Sequence, residues 1–250
     1  SRATLGGMIN TDACGKGSRV YGRTSDHLLE LSCLLSNGEE LHSVPLNPKE
    51  LTDWKEASGR TGDVYRVVDE IVCRQAELIE EVFPKMSRFM TGYNLARVYS
   101  NDQRPIFNLN YLLAGSEGTL AVVHEAKLRL TPLPAFQELI VVKYESFDDA
   151  LRAAGILVQS DPTAIETVDE KILGLAREDE IYHKVKDFVA DEGSRPTRTI
   201  NLVEFSGNEK SVVSAKVDQL AKIIHERKEI SGEATGFYRT DIPEEIRDLW

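Results

Sequence analysis

Ala3-Thr4-Leu5-Gly6-Gly7-Met8-Ile9-Asn10-Thr11-Asp12-Ala13-Cys14-Gly15 and, a hundred residues later, Gly115-Ser116-Glu117-Gly118-Thr119-Leu120-Ala121-Val122-Val123 are the two segments around which this chain organises itself. Each is a turn rich in small residues beside an apolar run. Glycines next to a strand let the backbone approach a ligand, and their N–H groups can face a phosphate or a ring carbonyl. Asn10, Thr11, Asp12 and Ser18 supply polar groups beside the first turn. Neither segment has the Gly-x-Gly-x-x-Gly pattern after a strand, and no Gly-Lys-Thr occurs, so the Rossmann and Walker phosphate loops are excluded. Spacing alone leaves two readings open. The glycines either serve a cofactor, or they form a tight turn and a helix C-cap.

Working outward, residues 1–46 contain a hairpin. Leu28–Ser36 and Glu39–Val44 flank Asn37-Gly38, and Leu29, Leu31, Cys33 and Leu35 fall on one face at period two. Asn-Gly predicts a type I′ turn, with positive φ at both central residues. Leu34 on the other face predicts partial cover there too. Pro45 and Pro48 end the sheet. Residues 47–113 read as a helical insertion. Val64, Val67, Val68, Ile71, Val72, Ala76, Ile79, Val82 and Phe83 predict one amphipathic helix over 62–83, with Asp63 placed for the helix dipole and Pro84 as its stop. Met86, Phe89 and Met90 predict a short helix, and 97–108 a loop. The second glycine segment then runs into an extended stretch through Leu130, ended by Pro132 and Pro134. A domain boundary is expected at that turn, near residue 135.

Residues 136–250 alternate strand and helix. Strands are expected at 138–144, 164–169, 199–205 and 234–239, and helices at 146–159, 171–177 and 209–227. Ser146 is the expected N-cap of the first helix, with Phe147, Ala150, Leu151 and Ala154 on its buried face. This order suits a ferredoxin-like sheet with helices on one face. The fold class is therefore α+β. The chain contains no internal repeat and no low-complexity segment.

Composition narrows the function. Apolar residues make up 41% and charged residues 28%, the balance of a chain with a packed core. The net charge of -11 argues against nucleic acid and against anionic lipid, both of which require clustered Lys and Arg. No stretch has the ~20 apolar residues of a membrane span. Cys14, Cys33 and Cys73 lie far apart, with no Cys-x-x-Cys pair for an iron–sulfur cluster or a zinc ribbon. Burial is expected for Cys33 and Cys73, and cytoplasmic residence is the simplest compartment. The five histidines have no metal-like spacing. Glu166 and Asp169 are expected to hydrogen-bond within the structure, and Glu178-Asp179-Glu180 to form a solvated helix end.

The two segments resemble the flavin-contacting parts of the FAD-linked oxidases of the vanillyl-alcohol oxidase / D-lactate dehydrogenase type. Ala3-Thr4-Leu5-Gly6-Gly7 is similar to the family's Ala-Thr-Ile-Gly-Gly, and Gly115 to Leu120 matches its Gly-Ser-Glu-Gly-Thr-Leu. Tyr21-Gly22, Asp26 and the hairpin follow in family order. Phe83-Pro84 and Gly92-Tyr93-Asn94-Leu95 resemble the helical insertion of the branch often fused to an iron–sulfur domain. Ala164–Asp169 resembles the opening of the cap domain. The pattern is closest to the bacterial D-2-hydroxyglutarate / D-lactate dehydrogenase-like branch.

The resemblance implies an architecture: the second half of a PCMH-type FAD-binding domain over 1–135, with its insertion at about 47–113, followed by part of a ferredoxin-like cap (substrate) domain over 136–250. It implies FAD as cofactor. Gly6, Gly7, Met8, Asn10, Thr11, Asp12, Cys14, Gly15 and Ser18 would line the flavin ring and pyrophosphate. Tyr21 and Gly22 would close that wall. Glu117, Gly118 and Val123 would lie near the ribityl and adenosine portion, mostly through backbone atoms. The implied reaction moves the C2 hydride of a small D-2-hydroxy acid to the flavin, giving a 2-oxo acid, and leaves the electron acceptor open. The family's first half-domain is expected before Ser1, and its substrate-handling histidines after Trp250. No catalytic residue is therefore expected within the chain, any iron–sulfur cluster would belong to a longer parent, and FAD binding by the chain alone is expected to be weak. The competing reading is a non-catalytic module whose ferredoxin-like half binds a protein while the glycine turns are structural.

Overall fold

A computed structural model describes residues 3–86, 92–100, 105–180, 182–227, 230 and 232–250. The chain divides into two units, Ser1–Thr131 and Pro132–Trp250.

In the first unit the hairpin forms the centre of a small sheet. Strand β1 (Leu28–Leu34) pairs antiparallel with β2 (Glu40–Ser43), Cys33 opposite Leu41, and on its other edge with β3 (Val122–Leu128), Leu34 opposite Val122. Leu31, Cys33 and Leu41 are wholly buried, as period two requires, but Leu34 is 44% exposed and the outer face is not covered there. The turn also differs from expectation. Gly38 N–H donates to Leu35 O and Leu35 N–H donates to Glu39 O, each at 2.9 Å. Within this turn positive φ occurs at Gly38 alone (85°). This is a three-residue loop with glycine in the left-handed position, and it asks nothing unusual of Asn37.

The helical region holds three helices before residue 83. Helix α3 (Pro48–Glu56) starts on Asn47, whose side chain accepts from Lys49 and Glu50 N–H, while Glu50 accepts from Asn47 N–H. Pro48, read from sequence only as a sheet terminator, is the first helical residue of that capping box. The single helix expected over 62–83 is two: α4 (Gly59–Arg74) and α5 (Ala76–Val82), broken at Gln75. Because α4 begins at Gly59, Asp63 lies beyond its first turn and pairs with Arg66 instead. Tyr65, Val72 and Ile79 are buried, whereas Val67 and Ile71 are exposed, a narrower apolar stripe than the spacing suggested. Cys73 is exposed, contrary to expectation, and donates to Asp69. The loop before helix α6 (Asn110–Leu113) is pinned by Phe107, which exchanges backbone hydrogen bonds with Leu46 and packs its ring against Tyr65 and Tyr99. Of the short helix expected at Met86, Phe89 and Met90, the last two fall outside the described residues, and Met86 is exposed.

The second unit runs β4 (Phe136–Tyr144), α7 (Phe147–Gln159), β5 (Ala164–Val168), α8 (Glu170–Glu178), α9 (Tyr182–Val185), β6 (Thr199–Gly207), α10 (Lys210–Arg227), β7 (Gly236–Thr240) and α11 (Pro243–Leu249). The sheet order is β5-β6-β4-β7, antiparallel throughout, which is the ferredoxin-like arrangement with α8 and α9 added between β5 and β6. On one face Ile140, Val142, Val203 and Phe205 pack against Ala150 and Leu157 of α7 and Val217 and Leu220 of α10. On the other, Leu139, Val141, Ile200 and Leu202 pack against Leu173, Val185, Phe188 and Ile246. Helices therefore cover both faces, not one. The physical signal is the unbroken run Leu139-Ile140-Val141-Val142, every member of which is fully buried, since a strand with one wet face alternates. Ser146 caps α7 by accepting from Asp149 N–H at 3.2 Å. Its inward face is Ala150, Ala153 and Leu157. Phe147 and Leu151, expected inside, are exposed. Asn201, wholly buried, fastens α7 to the sheet by donating to Ala150 O and accepting from Thr167.

Candidate functional site

Gly6 and Gly7 do not form a turn against a strand. They lie in a short helix, α1 (Leu5–Asn10), capped by Thr4, whose hydroxyl accepts from Gly7 N–H at 3.1 Å. At its end Asn10 Nδ2 donates to Gly6 O and the Thr11 hydroxyl donates to Gly7 O, both at 2.9 Å. Asp12 then takes a left-handed backbone, φ 44°, and turns the chain back. Its side chain is buried. One carboxylate oxygen accepts from Ser25 N–H at 2.8 Å, and the other lies 3.3 Å from Arg23 Nη1, itself buried. Thr24 holds the adjoining Ala13 through its backbone and its hydroxyl. The polar side chains of Asn10, Thr11 and Asp12 are thus engaged inside the segment, and what Gly6, Gly7 and Gly15 present outward is backbone. Met8 and Cys14 are half-buried beside it.

Helix α2 (Ser18–Tyr21) continues the wall and ends at Gly22, φ 77°. A Cβ at Gly22 would sit 2.4 Å from an oxygen of Asp26, so this position requires glycine on two counts. Tyr21 is half-buried, and its carbonyl lies 2.8 Å from His27 Nε2, which therefore carries the proton.

The second glycine segment closes on the first. Gly115 N–H donates to Ile9 O at 3.0 Å and Glu117 N–H to Asn10 O at 2.9 Å, so the last carbonyls of α1 are satisfied by a turn over a hundred residues away. Gly115, Glu117 and Gly118 all have positive φ, and Glu117 and Gly118 are exposed. Thr119 donates to Ser116 O and pairs with Tyr93 through the two hydroxyls at 2.8 Å. The side chain of Val123 packs against the core and leaves only its backbone for a ligand.

Sequence reasoning passed over Arg23 and Arg97, and took Asp26 only as part of a family order. Asp26, which accepts from Arg23 N–H at 2.8 Å, is paired with Arg97 at 2.6 Å, and the Arg97 guanidinium stacks over Tyr111 at 4.1 Å. Their signal in sequence is faint, since Asp12, Arg23, Asp26 and Arg97 share no local spacing. Other candidates resolve simply. His124 pairs with Glu40, His42 lies beside Ser32 and Glu30, Asp169 caps α8, and Glu166 is exposed. Among the described residues no three His, Cys, Asp or Glu gather as a metal site. An apolar groove of about 220 Å³ beside α4 and α6 is lined by Val64, Val68, Leu109 and Leu113, together with Arg60 and Asp63, and by none of residues 6–22.

The wall fits a flavin in two respects. Gly6, Gly15 and Gly118 leave open space where a Cβ would stand, so a flat ring or a pyrophosphate can lie against the chain. Ser18 Oγ and Asn10 Oδ1 are buried without a hydrogen-bond partner, capacity that a bound group can take up.

Comparison with known proteins gives the class. Residues 133–250 match the family described as FAD linked oxidases, C-terminal domain, and residues 1–43 match an FAD binding domain. Over residues 1–43 and 133–250 the chain is therefore similar to the FAD-linked oxidases. It is 49% identical over 236 residues to the D-2-hydroxyglutarate dehydrogenase of Pseudomonas putida, which is 94% of this chain and 23% of that protein. It is 44% identical over 227 residues to the enzyme of that name from Escherichia coli, covering 90% of this chain and 22% of that protein. The chain thus spans under a quarter of the length of these relatives. A solved structure of alkyldihydroxyacetonephosphate synthase superposes with a TM-score of 0.56 over 98% of the chain and 35% of its own length, at 18% identity, a likeness of fold. Among the described residues no helix is long and apolar enough to cross a membrane.

Proposed function

We propose that this chain is the flavin-holding and substrate-covering part of an FAD-dependent dehydrogenase that oxidises a D-2-hydroxy acid, of the D-2-hydroxyglutarate or D-lactate type, to the 2-oxo acid. The observation that carries the reading is the pair of hydrogen bonds from Gly115 and Glu117 to Ile9 and Asn10, which make two distant glycine segments one wall. The names of the relatives support the substrate class.

In this reading residues 1–135 belong to the FAD-binding domain, with the insertion at 47–113, and 136–250 to the cap. Bound FAD would supply the hydride acceptor for C2 of the hydroxy acid. Gly6 and Gly15 would hold the ring and pyrophosphate through backbone N–H groups, Gly7 and Met8, whose N–H groups are taken by Thr4, would line it, and Asn10 and Ser18 would contribute their unpaired oxygens. Thr11, Asp12 and Cys14 shape the segment. Tyr21 and Gly22 shield one side, and Glu117, Gly118 and the Val123 backbone flank the ribityl–adenosine portion. The cytoplasm suits a chain whose three cysteines form no disulfide. The competing idea of a partner-binding ferredoxin-like module has less to stand on, because helices occupy both faces of that sheet.

The test is anaerobic. The flavin-loaded full-length protein that contains this chain is mixed with D- and L-forms of 2-hydroxyglutarate and lactate while the flavin's visible band is followed. Bleaching by a D-acid and not by its L-form is the expected result. A band unchanged by every acid would overturn the reading.

A further inference from the structure

Two ion pairs, joined through the backbone N–H of Arg23, cross the first wall. Arg97 Nη2 lies 2.6 Å from Asp26 Oδ1, Asp26 Oδ2 accepts from Arg23 N–H at 2.8 Å, and Arg23 Nη1 faces Asp12 Oδ2 at 3.3 Å. Asp12 Oδ1 then accepts from Ser25 N–H at 2.8 Å. The row is graded. Arg97 and Asp26 are about one-third exposed, while Arg23 and Asp12 are 4% exposed. Its inner end sits at the left-handed turn that sends Gly6–Asn10 back along the chain, and its outer end fills the space beneath Gly22. Arg97 is fixed in turn by the face of Tyr111. It belongs to the helical insertion and lies outside both glycine segments in sequence.

We infer that Arg97 is a positioning residue for the flavin wall: through Asp26 and Arg23 it holds Tyr21–Gly22 and the Asp12 turn in place before any cofactor arrives. The inference rests on the flavin reading of that wall for its purpose, but not for its geometry. A buried pair such as Asp12–Arg23 depends on exact placement of both groups, and Asp26, itself held by Arg97, fixes the Arg23 main chain through its N–H. The wall is then preorganised, and ordering is not left to the ligand.

Amide hydrogen exchange on the whole chain without ligand tests this, using Arg97→Ala and Arg97→Lys. The expected result in Arg97→Ala is roughly tenfold faster exchange at the Arg23 and Ser25 amides, with Leu31 and Cys33 of β1 unchanged, and recovery of most of that protection in Arg97→Lys. Unchanged Arg23 and Ser25 amides would overturn it. So would equal acceleration across the whole unit, or no recovery with lysine, since either would make Arg97 a packing residue only. Flavin titration of the full-length protein carrying the same substitutions reads the purpose separately. Arg97→Ala should weaken FAD binding about tenfold, and equal affinity would break the link to the cofactor. If the unsubstituted full-length protein took up no FAD, the flavin reading would fail while the exchange data still decided the network.

Discussion

Cys33 lies in the middle of β1 with no exposure, and burial pushes its thiol from 9.0 up to about 11. Tyr65, beside it, is pushed up to about 12, by burial first and then by the negative charge that Cys33 would carry. A raised folded pKa means that the folded chain holds its proton more tightly than the unfolded chain does. The associated stability is whole below pH 9 and is lost as pH rises through 11. Two units correspond to at most about 2–3 kcal/mol. Urea midpoints measured at pH 8 and pH 10.5 should therefore fall more steeply for this chain than for Cys33→Ala, and parallel slopes would count against the assignment. At this scale the sequence was uneven. Cys33 was legible because strict alternation points one way only. Cys73 was misplaced because the apolar stripe of α4 is narrower than its count of valines and isoleucines. Asp12 and Arg23 could not be paired from sequence, because nothing local relates them.

The hairpin was plain from Asn37-Gly38, yet the kind of turn was not, since the same dipeptide serves a two-residue and a three-residue loop. The two make different demands. In the observed loop only position 38 is left-handed, so Gly38→Ala should cost about 1 kcal/mol, while Asn37→Gly should bring no gain. Thermal midpoints of the two variants decide it: a stabilised Asn37→Gly would indicate the two-residue turn. Similar limits applied to the helices. Gln75 carries no obvious breaker, so α4 and α5 read as one. In α7 the buried face follows the alanines, where close packing on the sheet favours small side chains, and the larger Phe147 and Leu151 lie outside. The first glycine segment was picked out as a candidate site but not read as a helix, because Gly-Gly argues against one. Thr4 and the long-range partners of α1 override that preference.

The whole molecule was the most legible. Strand and helix signals in residues 136–250 each arise locally and add up to the ferredoxin-like order. What they could not convey was the second helical layer, because the short α9 and α11 lack long periodic runs. Both hydrophobic clusters of this unit are drawn from its own residues. Residues 132–250 expressed alone should therefore unfold cooperatively in urea and give a dispersed amide spectrum. A non-cooperative transition would mean that this core needs more of the chain.

The carbonyls of Ile9 and Asn10 have a timetable as well as a geometry. Their donors, Gly115 and Glu117, leave the ribosome more than a hundred residues after them. At the usual pace of synthesis that is an interval of roughly 5–20 seconds. Throughout it the first glycine segment exists with its closing partners unmade, while the hairpin and α3 to α6 emerge between. The wall that the two glycine segments make together is therefore among the last parts of its unit to be completed, and a nascent chain stalled before residue 115 would carry one half of it without the other.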